Sequence, residues 1–224
     1  DNRREDQEIG ELTGKGLVSL QNQSYLFYGG LNGDVEFSGT SKGDGALVKK
    51  GSGTTTFSGT FGHTGFTKVH DGTLLMGRDE ALSGSSKVLI SSASRQPVLD
   101  LGGTTQRAPV YNLHGGILKN GTIGSAQINV ERRTNNAIDS IKGELVSVSS
   151  RNDFDEEVGL TFSGSNQFKS LQIDRATVLI DETASVELSG NIIGGDFVSR
   201  GAAFELSDKL DIQGSLTVGG SIDL

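Results

Sequence analysis

The pattern most suggestive of catalysis is the pentapeptide Gly39-Thr40-Ser41-Lys42-Gly43, which matches the G-x-S-x-G motif of serine hydrolases. In that motif the serine is the nucleophile, and a preceding strand and a following helix hold its hydroxyl in an exposed position. Here Asp44-Gly45 and another strand-forming run follow, so no helix is expected. Because the chain has 33 glycines in 224 residues, a chance match is also expected. We therefore predict no catalytic residue and no enzymatic activity.

Metal binding by histidine requires convergence, since a zinc site needs at least three protein ligands. His63, His70 and His114 each lie near a glycine turn, and the sequence contains neither a cysteine nor an HExxH motif. We therefore interpret all three histidines as surface turn residues rather than zinc ligands.

A group of carboxylates, Asp153, Asp155, Glu156 and Glu157, offers the oxygen ligands that calcium prefers. The group lacks the EF-hand spacing and the G-G-x-G-x-D repeat of calcium β-rolls, so we predict a solvated loop. Nearby cations, Arg132, Arg133 and Arg151, would form surface ion pairs with this loop, which stabilise little. The sequence thus predicts no metal site, no cofactor-binding residue and no cofactor.

The composition excludes two classes of partner. The net charge is −8 and the pI is about 4.9, which disfavours nucleic acid because phosphate binding needs a basic surface. The sequence has no apolar run of the length that spans a bilayer, so direct membrane insertion of this segment is not expected. The absence of cysteine rules out disulfides.

The elements that would position these residues are short strands separated by glycine turns. A three-residue pattern of an apolar residue, serine and glycine ends at Gly39, Gly59, Gly164 and Gly190, with spacings of 20 and 26 residues within the two pairs. A spacing in the twenties that drifts in length is typical of a solenoid with turns of roughly 20 to 25 residues. We predict a single β-helical segment over 1–224, with residues 1–11 as a frayed end or a cap. Two polar stretches, 131–139 and 150–157, are predicted to leave it as loops, and Asn120-Gly121 signals a type I′ turn.

The strongest regularity lies at residues 47–77, where short runs of alternating apolar and polar residues, rich in strand formers, are cut by glycines at close intervals. The motifs in order are Lys49-Lys50-Gly51-Ser52-Gly53, Thr54-Thr55-Thr56-Phe57-Ser58-Gly59, His63-Thr64-Gly65, Lys68-Val69 and Asp71-Gly72-Thr73-Leu74. This stretch resembles the autotransporter-associated β-strand, or passenger-associated transport repeat, of bacterial autotransporter passenger domains. His63 stands where that family usually has an aromatic residue.

The resemblance implies an all-β fold, a right-handed parallel β-helix. It also implies structural roles for the repeat-motif residues Gly51, Gly53, Phe57, Gly59, Thr64, Gly65, Gly72, Thr73 and Leu74. The implied function is that of a non-catalytic structural or adhesive passenger segment of a type V secreted protein, which supports secretion-coupled folding and surface display. The implied location is the cell surface or the extracellular space, with anchoring to the Gram-negative outer membrane through the rest of the precursor.

The resemblance also implies partners and leaves two alternatives open. The expected partners are a host surface receptor or matrix, further copies of the chain, and the C-terminal β-barrel translocator of the parent protein. In one alternative the segment is the stalk for a protease or lipase domain outside this chain. In the other it is a self-associating aggregation module.

Overall fold

The chain is described by a computed structural model that covers residues 5–92, 95–124, 127–131, 135–149, 158–174 and 176–190, together with the backbone of short strands between 192 and 223. Every regular element within these residues is a β-strand, and none is a helix. Glycine at close intervals and β-branched or aromatic residues between the glycines favour this all-β outcome.

The strands follow one another in chain order. The first nine are β1 (Gln7–Glu8), β2 (Leu17–Leu20), β3 (Tyr25–Tyr28), β4 (Val35–Phe37), β5 (Thr40–Gly43), β6 (Ala46–Lys49), β7 (Thr54–Phe57), β8 (Thr60–His63) and β9 (Thr67–Val69). The next nine are β10 (Thr73–Met76), β11 (Val88–Ser91), β12 (Val98–Asp100), β13 (Thr105–Gln106), β14 (Val110–His114), β15 (Ile117–Ile123), β16 (Gln127–Glu131), β17 (Asn136–Ser149) and β18 (Gly159–Ser163). The remaining strands are β19 (Ser165–Asp174), β20 (Thr177–Ile180), β21 (Ser185–Leu188), β22 (Ile192–Ile193), β23 (Asp196–Ser199), β24 (Ala203–Leu206), β25 (Leu210–Asp211), β26 (Leu216–Val218) and β27 (Ile222–Asp223).

All strand pairings in the described part of the chain are parallel. Paired residues lie from 17 positions apart, for Val110 and Gln127, to 25 positions apart, for Lys142 and Gln167. Each coil therefore stacks on the coil before it, and the predicted parallel β-solenoid is confirmed.

The strands stack in three ladders, one on each face of the solenoid. The first ladder contains β1, β3, β6, β9, β11, β14, β16, the end of β17, the end of β19, β22 and β25. The second contains β4, β7, β10, β12, β15, the start of β17, β18, β20, β23 and β26. The third begins with the separate sheet β2-β5-β8 and resumes with β13, the end of β15, the middle of β17, the start of β19, β21, β24 and β27.

The core is a set of columns in which each inward side chain lies against its partner in the next coil. One column contains Val69, Ile90, Leu113, Val130 and Val148, all fully buried and each in register with the next. Burying one such aliphatic side chain stabilises the fold by about 1.5 to 3 kcal/mol. The columns therefore supply a core that grows with each coil.

Of the two loops predicted from the sequence, the structure contradicts one and does not describe the other. The loop predicted at 131–139 is wrong at both of its ends, because Glu131 ends β16 and Ala137 to Asp139 pair on both sides in β17; residues 132–134 lie outside the described residues. The polar composition of this stretch led to the prediction of a loop. Inside the solenoid, however, the side chain of Asn136 is buried because it accepts a hydrogen bond from Gly115 N at 2.7 Å and donates one to Gly159 O at 3.0 Å. The second predicted loop, 150–157, lies outside the described residues.

The type I′ turn predicted at Asn120-Gly121 is also wrong. Such a turn needs positive φ at both residues, whereas only Asn120 has it, with φ of 59°. Asn120 instead marks a corner at which β15 passes from the second face to the third.

Candidate functional site

The serine of the G-x-S-x-G match lies inside the solenoid. Ser41 is in the middle of β5, which has a parallel strand on either side, and its side chain is fully buried. Its Oγ lies 2.8 Å from Nδ1 of His63. The exposed strand-to-helix turn that a hydrolase nucleophile requires is therefore not formed at this serine.

His63 belongs to a buried polar cluster of four residues: Ser41, His63, Thr67 and Ser85. Nε2 of His63 lies 3.0 Å from Oγ1 of Thr67, which in turn lies 2.7 Å from Oγ of Ser85. Burial lowers the pKa of His63 to about 4, so the ring is neutral at pH 7. The prediction of a surface turn residue is wrong for His63, because the hydroxyls of Ser41 and Thr67 satisfy both ring nitrogens inside the core.

This polar cluster has a serine and a histidine at hydrogen-bonding distance but no route for a substrate. All four side chains are at most 1% exposed. The Ser41–His63 and Thr67–Ser85 hydrogen bonds join residues 22 and 18 positions apart, from different coils, whereas His63 and Thr67 are four positions apart. The cluster therefore links coils and satisfies buried polar groups, which would otherwise cost stability.

The other candidates for metal binding do not converge. Among the described residues, no group of three or more histidines and carboxylates is placed to hold a metal ion. His70 is half-buried, and Nε2 of His114 lies 3.6 Å from a carboxylate oxygen of Glu131. The acidic group at 153–157 and the arginines at 132, 133 and 151 lie outside the described residues.

The glycines of residues 47–76 form corners where one coil lies directly on the previous one. A Cβ on Gly59 would lie 1.8 Å from the carbonyl oxygen of Gly39, and a Cβ on Gly65 would lie 2.1 Å from that of Gly45. Neither distance can be accommodated by a side chain. The motif therefore needs glycine at these corners because the backbone of the preceding coil fills the space.

A second glycine corner combines close approach with a left-handed backbone. Gly51 and Gly72 have φ of +70° and +61°, a region that glycine adopts without steric cost. A Cβ on Gly51 would lie 1.9 Å from the carbonyl oxygen of Gly29, and one on Gly72 would lie 2.4 Å from that of Gly51. A Cβ on Gly53 would lie 2.2 Å from the carbonyl oxygen of Gly33.

Phe57 is the centre of an aromatic cluster formed by Tyr28, Phe37, Phe57 and Phe61, all of them buried. Its ring is nearly parallel to that of Phe61, with centroids 3.9 Å apart, and lies 5.9 Å from that of Tyr28. Phe37 approaches it edge-on at 6.2 Å. Such pairs add about 0.5 to 1.5 kcal/mol each beyond the area they bury.

The remaining motif residues pair successive coils with one another. Leu74 is fully buried and is in register with Thr55 below and Leu99 above. Thr73 donates its backbone N–H to Gly53 O at 3.2 Å, and Thr64 donates its own to Gly43 O at 2.8 Å. These bonds fix the register of the coil.

Lys49 begins the repeat motif, but the sequence analysis did not predict its burial or its contacts. It is fully buried, and its Nζ donates to the carbonyl oxygens of Lys50 at 2.5 Å and Gly51 at 2.8 Å. Burial lowers the pKa of Lys49, and the carboxylates of Asp71, Glu11 and Asp34 oppose this shift. A signal was present, because alternation in β6 puts Lys49 in phase with the inward Leu47. The same alternation in β8 puts His63 in phase with Phe61.

Comparison with known proteins identifies the segment that carries these features. Residues 47–76 match the family model of the passenger-associated transport repeat. No curated protein and no solved structure matches the chain. Across the described residues, no helix is long and apolar enough to cross a membrane. Residues 47–76, which include the Gly51, Gly59, Gly65 and Gly72 corners, the Phe57 ring and the buried Lys49, are therefore similar to the repeat of autotransporter passengers.

Proposed function

We propose that this chain is a non-catalytic structural passenger segment of an autotransporter, which supports secretion-coupled folding and displays its faces at the cell surface. The observation that carries the proposal is the match of residues 47–76 to the transport repeat within a continuous parallel solenoid. In this proposal, the remainder of the precursor anchors the segment to a Gram-negative outer membrane.

The packing of the repeat segment, residues 47–76, supports a role in folding. Its strands β6, β7 and β9 pair on both sides, and the glycine corners let backbone rest on backbone without intervening side chains. In a solenoid each coil contacts only its neighbours, so folding can start at one stable coil and propagate along the chain. A tightly packed coil that nucleates the next one would favour folding as the chain emerges at the surface.

The experiment compares two glycines in the precursor expressed with its native flanking sequence. Gly59→Ala places a methyl group against the Gly39 carbonyl oxygen, whereas Gly16→Ala meets no heavy atom within 4 Å and is the matched control. We expect Gly59→Ala to lower the amount of segment detected by antibody on intact cells, with total cellular protein unchanged, and Gly16→Ala to behave as wild type.

The stability of the purified segments, measured by unfolding, reports on folding independently of secretion. If Gly59→Ala destabilises the purified segment but leaves surface display at the level of the Gly16→Ala control, the coupling of folding to secretion is contradicted. If display falls together with stability, the proposal is supported.

A further inference from the structure

Two aromatic rings, those of Tyr25 and Phe66, lie on the outside of the first ladder, and Phe66 belongs to the matched residues 47–76. Tyr25 begins β3 and is in register with Ala46, and Phe66 immediately precedes β9 in the coil after that. Although they lie two coils apart, the rings of Tyr25 and Phe66 meet edge to face, with centroids 5.1 Å apart. The small side chain of Ala46 lets them close over it, so that Ala46 is only 1% exposed.

Beside these rings runs a groove of about 370 Å³, whose polar edge is formed by Gln23, Asp44, Ser86 and Lys87. All four polar residues are exposed, while both rings are half-buried. The lining residues recur at 23–25, 44–46, 65–66 and 86–87, so the groove crosses four successive coils. At the spacing of stacked strands this corresponds to a length of about 14 Å along the solenoid axis.

The groove is held open by Gly65. A Cβ at this position would lie 2.1 Å from the Gly45 carbonyl oxygen, so no side chain can occupy that part of the polar edge. The carboxylate of Asp44 is fixed at the rim because its Oδ1 accepts a hydrogen bond from Gln23 N at 3.2 Å. The opening is therefore a consequence of how the coils stack.

The hydrogen-bonding groups, charges and aromatic rings that line the groove indicate which class of ligand fits it. An extended peptide cannot add to this face by strand pairing, because β6 and β9 already have parallel partners on both sides. Asp44 and Lys87 balance in charge, while Gln23 and Ser86 supply neutral donors and acceptors. A neutral ligand with many hydroxyls and an apolar ring face fits both the polar edge and the aromatic pair.

We propose that this groove binds a neutral oligosaccharide, with a pyranose face against Tyr25 and Phe66 and its hydroxyls bonded to Gln23, Asp44, Ser86 and Lys87. The inference goes beyond the folding and display role and stands on these contacts alone. A chain of sugar units along the solenoid axis would meet a new polar side chain at each coil.

The test is isothermal titration of the purified segment with the hexasaccharides of β-1,4-glucose, β-1,4-N-acetylglucosamine and α-1,6-mannose, and with a decaproline peptide. We expect saturable binding of at least one hexasaccharide. Ser86→Arg changes an exposed residue and fills the groove, and it should weaken binding by about tenfold or more. Thr56→Ala, on the second ladder, is the control and should leave affinity unchanged.

Phe66→Ala tests the stacking contribution, and thermal unfolding checks that this variant remains folded. If it does not fold, Ser86→Arg alone decides the matter. Failure of wild type to bind any of the three hexasaccharides, equal binding by Ser86→Arg, or binding of decaproline in their place would each overturn the proposal.

Discussion

Lys49 occupies an inward position in a column that is otherwise largely aliphatic, between Tyr28 in the coil below and Val69 in the coil above. A lysine can be buried there because its stem packs in the column while Nζ reaches carbonyl oxygens at the glycine corner. Those carbonyls belong to the turn after β6, where the chain leaves the strand. The lysine of the repeat motif therefore satisfies the carbonyl groups of the glycine corner with its ammonium group.

His63 gives the molecule a pH dependence that can be predicted. Its pKa is about 4 in the folded chain and 6.5 in an ordinary environment, so the unfolded chain binds the proton more readily. The resulting contribution to stability is complete above pH 6.5 and is lost as the pH falls towards 4, by at most about 3 kcal/mol. Urea unfolding at several pH values, compared between wild type and His63→Gln, should show this difference.

The comparison with His63→Gln removes the contribution of other titrating groups. The free energies of unfolding of the two proteins should converge as the pH falls from 6.5 to 4. A constant difference over that interval would show that His63 does not resist protonation in the core.

At the scale of the strand, alternation predicts which residues face inward, and it does so correctly for Phe57, Val69 and Leu74. What it cannot predict is how a polar inward residue is satisfied. Ser41 and His63 are 22 positions apart, and their hydrogen bond exists only because β5 and β8 stack in one particular register. Sequence analysis therefore located the repeat segment but placed His63 on the surface.

The aromatic cluster around Phe57 should be the most sensitive point of the repeat segment. Phe57→Ala removes a ring that contacts Phe61, Tyr28 and Phe37, and we expect it to lower the free energy of unfolding by about 3 to 5 kcal/mol. Phe27→Ala is the matched control, since Phe27 is half-buried on the outer face beside Lys50. Equal losses in urea unfolding would contradict a central role for the Phe57 cluster.

At the scale of the whole molecule, stability in a solenoid is the sum of coil contributions and of interfaces between neighbouring coils. The register between Leu47 and Thr67 means that residues 47–66 form one complete coil of 20 residues. Removing them joins Ala46 to Thr67, and every later residue keeps its face. Removing only residues 47–56 would move the following strands to the wrong faces.

We therefore expect the deletion of residues 47–66 to leave a folded, all-parallel solenoid that unfolds cooperatively in urea, and the deletion of residues 47–56 to give an aggregated or unfolded chain. The slope of the unfolding free energy against urea should fall for the whole-coil deletion, because less surface becomes exposed on unfolding. Circular dichroism and urea titration of the purified segments measure both effects. If the shorter deletion were tolerated as well as the longer one, the coil would not be the unit of folding. The molecule would then owe its stability to contacts that do not depend on stacking register.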